Sequence, residues 1–132
     1  MKIYTSYFAN LKKIPKDIVP IAICVSLPTW WHGLSLKKLA PTYDILMNYR
    51  NNFDEKEYIK RFYSEVLDKL DANKILDELK AMSNGKDIVL VCYESKDKFC
   101  HRHLVAEWLS KNLKEVTINE YGYCYHTDLE LK

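Results

Sequence analysis

Apolar positions along this chain follow two periods, and the periods alternate. Lys2 to Phe8 is β-prone and predicts a first strand. Ala9 to Lys16 is a basic connection closed by Pro15. Val19 to Ser26, "VPIAICVS", is a continuous apolar run of strand length, which suits a strand covered on both faces, and Pro28 ends it. A loop with two adjacent tryptophans follows, then a short helix over Thr42 to Arg50. From Asp54 to Leu70 the period is helical, with Tyr58, Ile59, Phe62, Tyr63, Val66, Leu67 and Leu70 on one stripe. Asp54 and Glu57 have capping-box spacing at its start. Ala72 to Ser83 repeats the helical pattern through Ile75, Leu76, Leu79 and Met82, and Gly85 is a plausible stop. Asp87 to Tyr93 is a second buried strand. Phe99 to Leu113 is a helix burying Leu104, Val105, Trp108 and Leu109. Glu115 to Asn119 fits a last strand, and "YGYCYH" a short strand or loop.

Strands alternate with helices, and the middle strands are apolar throughout. The expectation is an α/β fold: a single domain over residues 1–132, with a mostly parallel sheet flanked by helices in a Rossmann-like three-layer arrangement. Folds of this kind bind ligands at the carboxyl ends of their strands.

Composition narrows the picture modestly. The 132 residues suffice for one buried core. Basic and acidic residues number 20 and 18, a net charge of +2, which gives no strong case for nucleic acid. A weak nucleic-acid reading rests on Lys12-Lys13 and Lys37-Lys38. The start, "MKIYTSYF", does not read as a signal peptide. The longest uncharged run, Ile18 to Leu36, is broken by Pro20, Pro28 and Gly33, so it reads as strand plus loop and not as a membrane span. The expected setting is cytoplasmic. The four cysteines (Cys24, Cys92, Cys100, Cys124) are therefore expected as reduced thiols. Neither an oligomeric state nor a cofactor can be read from the sequence.

Candidate chemistry concentrates in "VLVCYESKDKFCHRHLVAEWL", Val89 to Leu109. A strand ends at Cys92, with Glu94 just beyond, and a helix begins near Cys100, His101 and Arg102. Unpaired N–H groups at a helix start favour an anion and lower a thiol's pKa. Arg102 is a bidentate partner for phosphate or carboxylate. Cys100 is the candidate nucleophile and Glu94 the candidate acid or base. His101 and Cys92 complete the pocket, and Tyr4, Trp30 and Trp31 are candidates for an aromatic wall. Each has a bland reading too: Cys92 and Cys100 as packing residues, the tryptophans as core anchors, and His101 to His103 as a solvated turn. Adjacent residues on a helix diverge, so Cys100 and His101 are not automatically a dyad. Paired close-spaced cysteine motifs are absent, so no stoichiometric zinc is expected from Cys92, Cys100 and one histidine. There is no phosphatase-type cysteine-to-arginine spacing and no glycine-rich phosphate loop. Cys124 and His126 carry no usable spacing.

Three segments resemble the domain of unknown function 488 family: "IYTSYFAN", "LAPTYDIL" and "IVLVCYESKDKFCHRHLVAEWL", together spanning about residues 3–113. The third is the specific one. The resemblance implies a cytosolic α/β protein with its site at Cys92, Glu94, Cys100, His101 and Arg102. It supplies no substrate. The chain departs from the family pattern twice. Ser6-Tyr7 stands where a glycine-containing turn is common, and "CVSLPTWW" where an Asp-Val-Arg-like segment is common. The expectation is a pocket at the 92–102 junction for a small anionic or nucleotide-like ligand. The alternative is a non-enzymatic interaction module in which Arg102 is structural.

Overall fold

A computed structural model describes residues 1–94 and 99–121. Among the described residues five strands form one sheet: β1 (Lys2–Tyr7), β2 (Val19–Ala22), β3 (Leu34–Ser35), β4 (Ile88–Cys92) and β5 (Thr117–Glu120). Their order is β3-β2-β4-β1-β5, and every pairing is parallel. The helices are α1 (Tyr43–Asn52), α2 (Glu55–Glu65), α3 (Ala72–Ser83) and α4 (His101–Asn112). This is the α/β architecture that the alternating periods imply.

Strand β4 lies at the centre and all five of its residues are buried. Alternation along the strands separates two apolar layers. Ile3, Ile21, Ile88 and Leu90 pack with Phe62, Leu79, Val105, Trp108 and Leu109 of the helices. Ala22, Val89 and Val91 pack on the other side with Phe8 and Ile18. That second side is covered by a 3-10 turn over Phe8–Lys13, partly buried Leu27 and Trp31, and the chain around them.

Helix starts are set by side chains that accept from otherwise unpaired backbone N–H groups. Thr42 accepts from Ile45 N, Asp54 from Glu57 N, and Asp71 from Asn73 N and Lys74 N. Helix α3 stops at Asn84, which is left-handed at φ 54, and Gly85 continues the turn at φ +76.

Several expected boundaries shift. The strand read over 19–26 ends at Ala22. Ile23 N still donates to Val91 O, but Cys24 turns its thiol to the Ser26 carbonyl at 3.1 Å, and the chain leaves the sheet. The two-residue strand β3 has no apolar period to announce it. The helix read over 54–70 breaks at Val66, and a 3-10 turn over Leu67–Lys69 keeps Leu67 buried on the same stripe. The helix read from Phe99 starts at His101. The last strand lies at 117–120 and not 115–119. Cys124, His126 and the "SKDK" segment lie outside the described residues. Among the described residues, no helix is long and apolar enough to cross a membrane.

Candidate functional site

The carboxyl end of β4 lies between those of β1 and β2, with Tyr7 level with Cys92 and Ala22 level with Val91. Phe99 and Cys100 lead into α4 beside this strand end. Cys100 is extended (φ −153, ψ 143) and caps the helix without a side-chain hydrogen bond, so it does not lie in the first turn. Its sulfur therefore faces back toward the strand and is bonded to Cys92 in a disulfide, eight positions apart in sequence. The expectation of reduced thiols missed this convergence, because spacing alone does not bring Cys92 and Cys100 together. Cys24 is the one free thiol among the described cysteines. Burial pushes its pKa up.

His101 is buried, and its Nε2 lies 2.5 Å from the Ile23 carbonyl oxygen. A carbonyl only accepts, so Nε2 carries the proton and Nδ1 keeps a bare lone pair. Nδ1 sits 3.8 Å from Cys100 Sγ. These neighbours in sequence do converge, because Cys100 precedes the helix in extended backbone. Burial, opposed by the hydrogen bond to Ile23 and helped by the nearby charges of Arg102 and His103, holds His101 neutral with a pKa down at about 4.

Arg102 is completely buried. Its Nε and Nη2 donate to Glu120 Oε1 and Oε2 at 3.1 and 3.0 Å. Nη1 donates to Cys92 Sγ at 3.1 Å and to the Glu94 carbonyl oxygen at 2.5 Å. Thr5 Oγ1 also donates to Glu120 Oε1, at 2.6 Å, tying the pair to β1. The guanidinium lies 5.7 Å from the centre of the Tyr7 ring. Arg102 thus faces a carboxylate of its own chain. Its Nη1 contact is to Cys92 and not to Cys100.

Beside this junction is a cavity of about 120 Å³. Cys92, Cys100, His101 and Glu94 line it, as do Cys24 and Ser26 from the chain after β2. Tyr49, Tyr58, Tyr93 and Phe99 supply aromatic wall, and exposed Arg50 stands at the edge. The rings form a connected set: Tyr49 to Phe99 at 5.1 Å, Tyr58 to Phe99 at 4.9 Å, Tyr49 to Tyr58 at 5.5 Å. Burial raises the Tyr58 pKa, so its hydroxyl stays protonated.

Of the sequence-derived candidates, Cys92, Glu94, Cys100 and His101 meet at the cavity. Arg102 lies behind them, and the other three stand elsewhere. Trp30 and Trp31 pack edge-on against Phe8 at 5.6 and 5.3 Å, and Phe8 in turn meets Tyr93 at 5.2 Å. Tyr4 packs against Tyr121 at 5.3 Å. Glu120, Tyr49, Tyr58, Phe99 and Arg50 were not anticipated as site residues. A buried arginine demands a carboxylate, but sequence does not say which one.

The profile of the active DUF488-N3 subclade matches residues 11–113. The chain belongs to the DUF488 family. The match begins after "IYTSYFAN", so the resemblance carried by that first segment lies outside it, while the DUF488 match includes the whole of β4, the junction and α4. Glu120, which completes the Arg102 pair, falls beyond the matched region. No curated protein and no solved structure matches this DUF488 chain.

Proposed function

We propose that the cavity binds a small anionic, nucleotide-like ligand and presents it to Cys100. The observation that carries this reading is the cavity itself: aromatic rings form its wall, a guanidinium stands at its edge, and the Cys100 sulfur with a bare imidazole nitrogen beside it lies in its lining. A space of about 120 Å³ holds one ring and not a whole nucleotide. The ring would stack on Tyr49 or Phe99, and the anionic group would extend to Arg50. The anion's partner in this reading is Arg50, because Arg102 is occupied by Glu120. The wall is built from Tyr49, Tyr58 and Phe99 in place of Tyr4, Trp30 and Trp31.

In a cytoplasmic setting the Cys92–Cys100 pair is held reduced. Cys100 Sγ and His101 Nδ1 are then the atoms of the junction that meet the ligand, with Ile23 fixing the imidazole ring. Glu94 supplies a carboxylate at the cavity. The matched subclade is described as active, which favours retained chemistry at this junction.

Calorimetric titration of reduced protein with 5′-mononucleotides, the corresponding nucleosides and inorganic phosphate tests the reading. Mononucleotides should bind. Tyr49→Ala should weaken them by the worth of one stacked base, about 1–3 kcal/mol or roughly 5- to 150-fold. Arg50→Ala should weaken mononucleotides and leave nucleosides unchanged. No binding, or binding indifferent to both substitutions, would refute it.

Thiol labelling gives a separate expectation. In reduced folded protein near pH 7, iodoacetamide should modify Cys100 before Cys92, which is 1% exposed, and before Cys24, whose thiol is held protonated. Peptide mapping separates these from Cys124. Cys92 reacting first would mean that the strand-end sulfur is the nucleophile.

One observation favours the interaction-module alternative: Arg102 is fully buried and paired within the chain. Under that reading the cavity binds none of the titrated compounds.

A further inference from the structure

Cys92 Sγ, Cys100 Sγ and a ring nitrogen of His101 lie within 4.8 Å of one another, and all three residues are buried. We propose that, with the thiols reduced, these three atoms bind one zinc-class divalent ion whose remaining position opens into the cavity. Three ligands are too few for a closed structural zinc site, which is why the sequence argued against zinc. Three ligands and an open position are instead the composition of a site that holds water or a ligand atom.

Two features beyond the cluster support the assignment. A metal-ligating histidine normally donates its other ring N–H to a carbonyl or carboxylate, which fixes the tautomer. His101 has that arrangement: Nε2–H is held by the Ile23 carbonyl, and Nδ1 is left bare toward the sulfurs. Arg102 Nη1 donates to Cys92 Sγ at 3.1 Å, an outer hydrogen bond that holds this sulfur's orientation. Soft sulfur with imidazole selects zinc over magnesium or calcium.

With the ion bound, both thiolates are ligands, so contact of Cys100 with the cavity ligand belongs to the metal-free state. The site adjoins the proposed ligand cavity, but its existence does not depend on a nucleotide-like ligand. The nucleotide titration can fail while metal binding stands, and the reverse.

The test is an anaerobic titration of reduced, metal-free protein with cobalt(II), followed by its sulfur-to-cobalt charge-transfer absorption. The expected result is one ion per chain with thiolate absorption, displaced by zinc. Cys92→Ser and Cys100→Ser should each abolish the two-thiolate spectrum, and His101→Gln should weaken binding by about tenfold or more. His32→Gln, at an exposed loop position, should change nothing. Unsubstituted protein with the Cys92–Cys100 bridge closed should bind no cobalt and recover on reduction, a comparison that does not depend on any variant folding. Absence of the thiolate band in reduced protein, or its persistence in both serine variants or in bridged protein, overturns the proposal.

Discussion

Replacing Arg102 with alanine is expected to destabilise the protein by about 3–5 kcal/mol. The guanidinium is fully buried, and its removal leaves the Glu120 carboxylate, 1% exposed at its side chain, without its bidentate partner. It also leaves the Glu94 carbonyl oxygen and Cys92 Sγ without a donor. Breaking a buried pair costs far more than the pair itself contributes, because the surviving charge stays in a poor solvent for it. The double replacement Arg102→Met with Glu120→Leu should therefore cost much less than the sum of the two single changes. Denaturant unfolding of the four proteins measures the coupling. An Arg102→Ala variant as stable as the parent would mean that Arg102 is hydrated and free to serve a ligand.

In metal-free protein, stability is expected to fall by about 3 kcal/mol between pH 6.5 and 4 through His101 alone. The sign follows from the depressed folded-state pKa. The unfolded chain takes up a proton near 6.5, while the folded ring, buried and donating to Ile23, stays neutral down to about 4. Between these values only the unfolded state binds the proton, so stability is fully present above 6.5 and is lost as pH falls. The interval at about 1.4 kcal/mol per pH unit gives the total. His101→Gln keeps a donor for Ile23 and removes the titration. The difference between the two pH profiles isolates this histidine from the carboxylates, and parallel profiles would show that the ring is solvated.

The parts of the fold that were legible in the sequence are those where one period runs unbroken. The apolar run of β4 and the stripe of α3 over Ala72–Ser83 are cases where burial and local propensity agree. Boundaries failed where a tertiary contact took over from the pattern. Ile23 still pairs with Val91, but Cys24 bonds to Ser26 and ends the strand. Leu67 stays on its stripe through a change of helix type. The site was legible as a place, because a strand end leading into a helix is a binding locus in any parallel sheet. The roles within it were less legible. Arg102 looked like a ligand anchor because an arginine at a helix start is exposed by default, and the carboxylate that claims it arrives from β5, eighteen residues later. The cavity wall comes from α1, α2 and the residue before Cys100, brought together only by packing against the sheet. Trp30 and Trp31, the most conspicuous aromatics in the sequence, are engaged with Phe8 instead.

The most direct measurement is a crystal structure of the reduced protein soaked with a 5′-mononucleotide. The expected result is density for a ring against Tyr49 and Phe99, with its phosphate at Arg50 and its near edge facing Cys100. Density at any other surface, or a junction closed over by Tyr93 and Phe99 with the ligand excluded, would contradict the assignment of this cavity as the site.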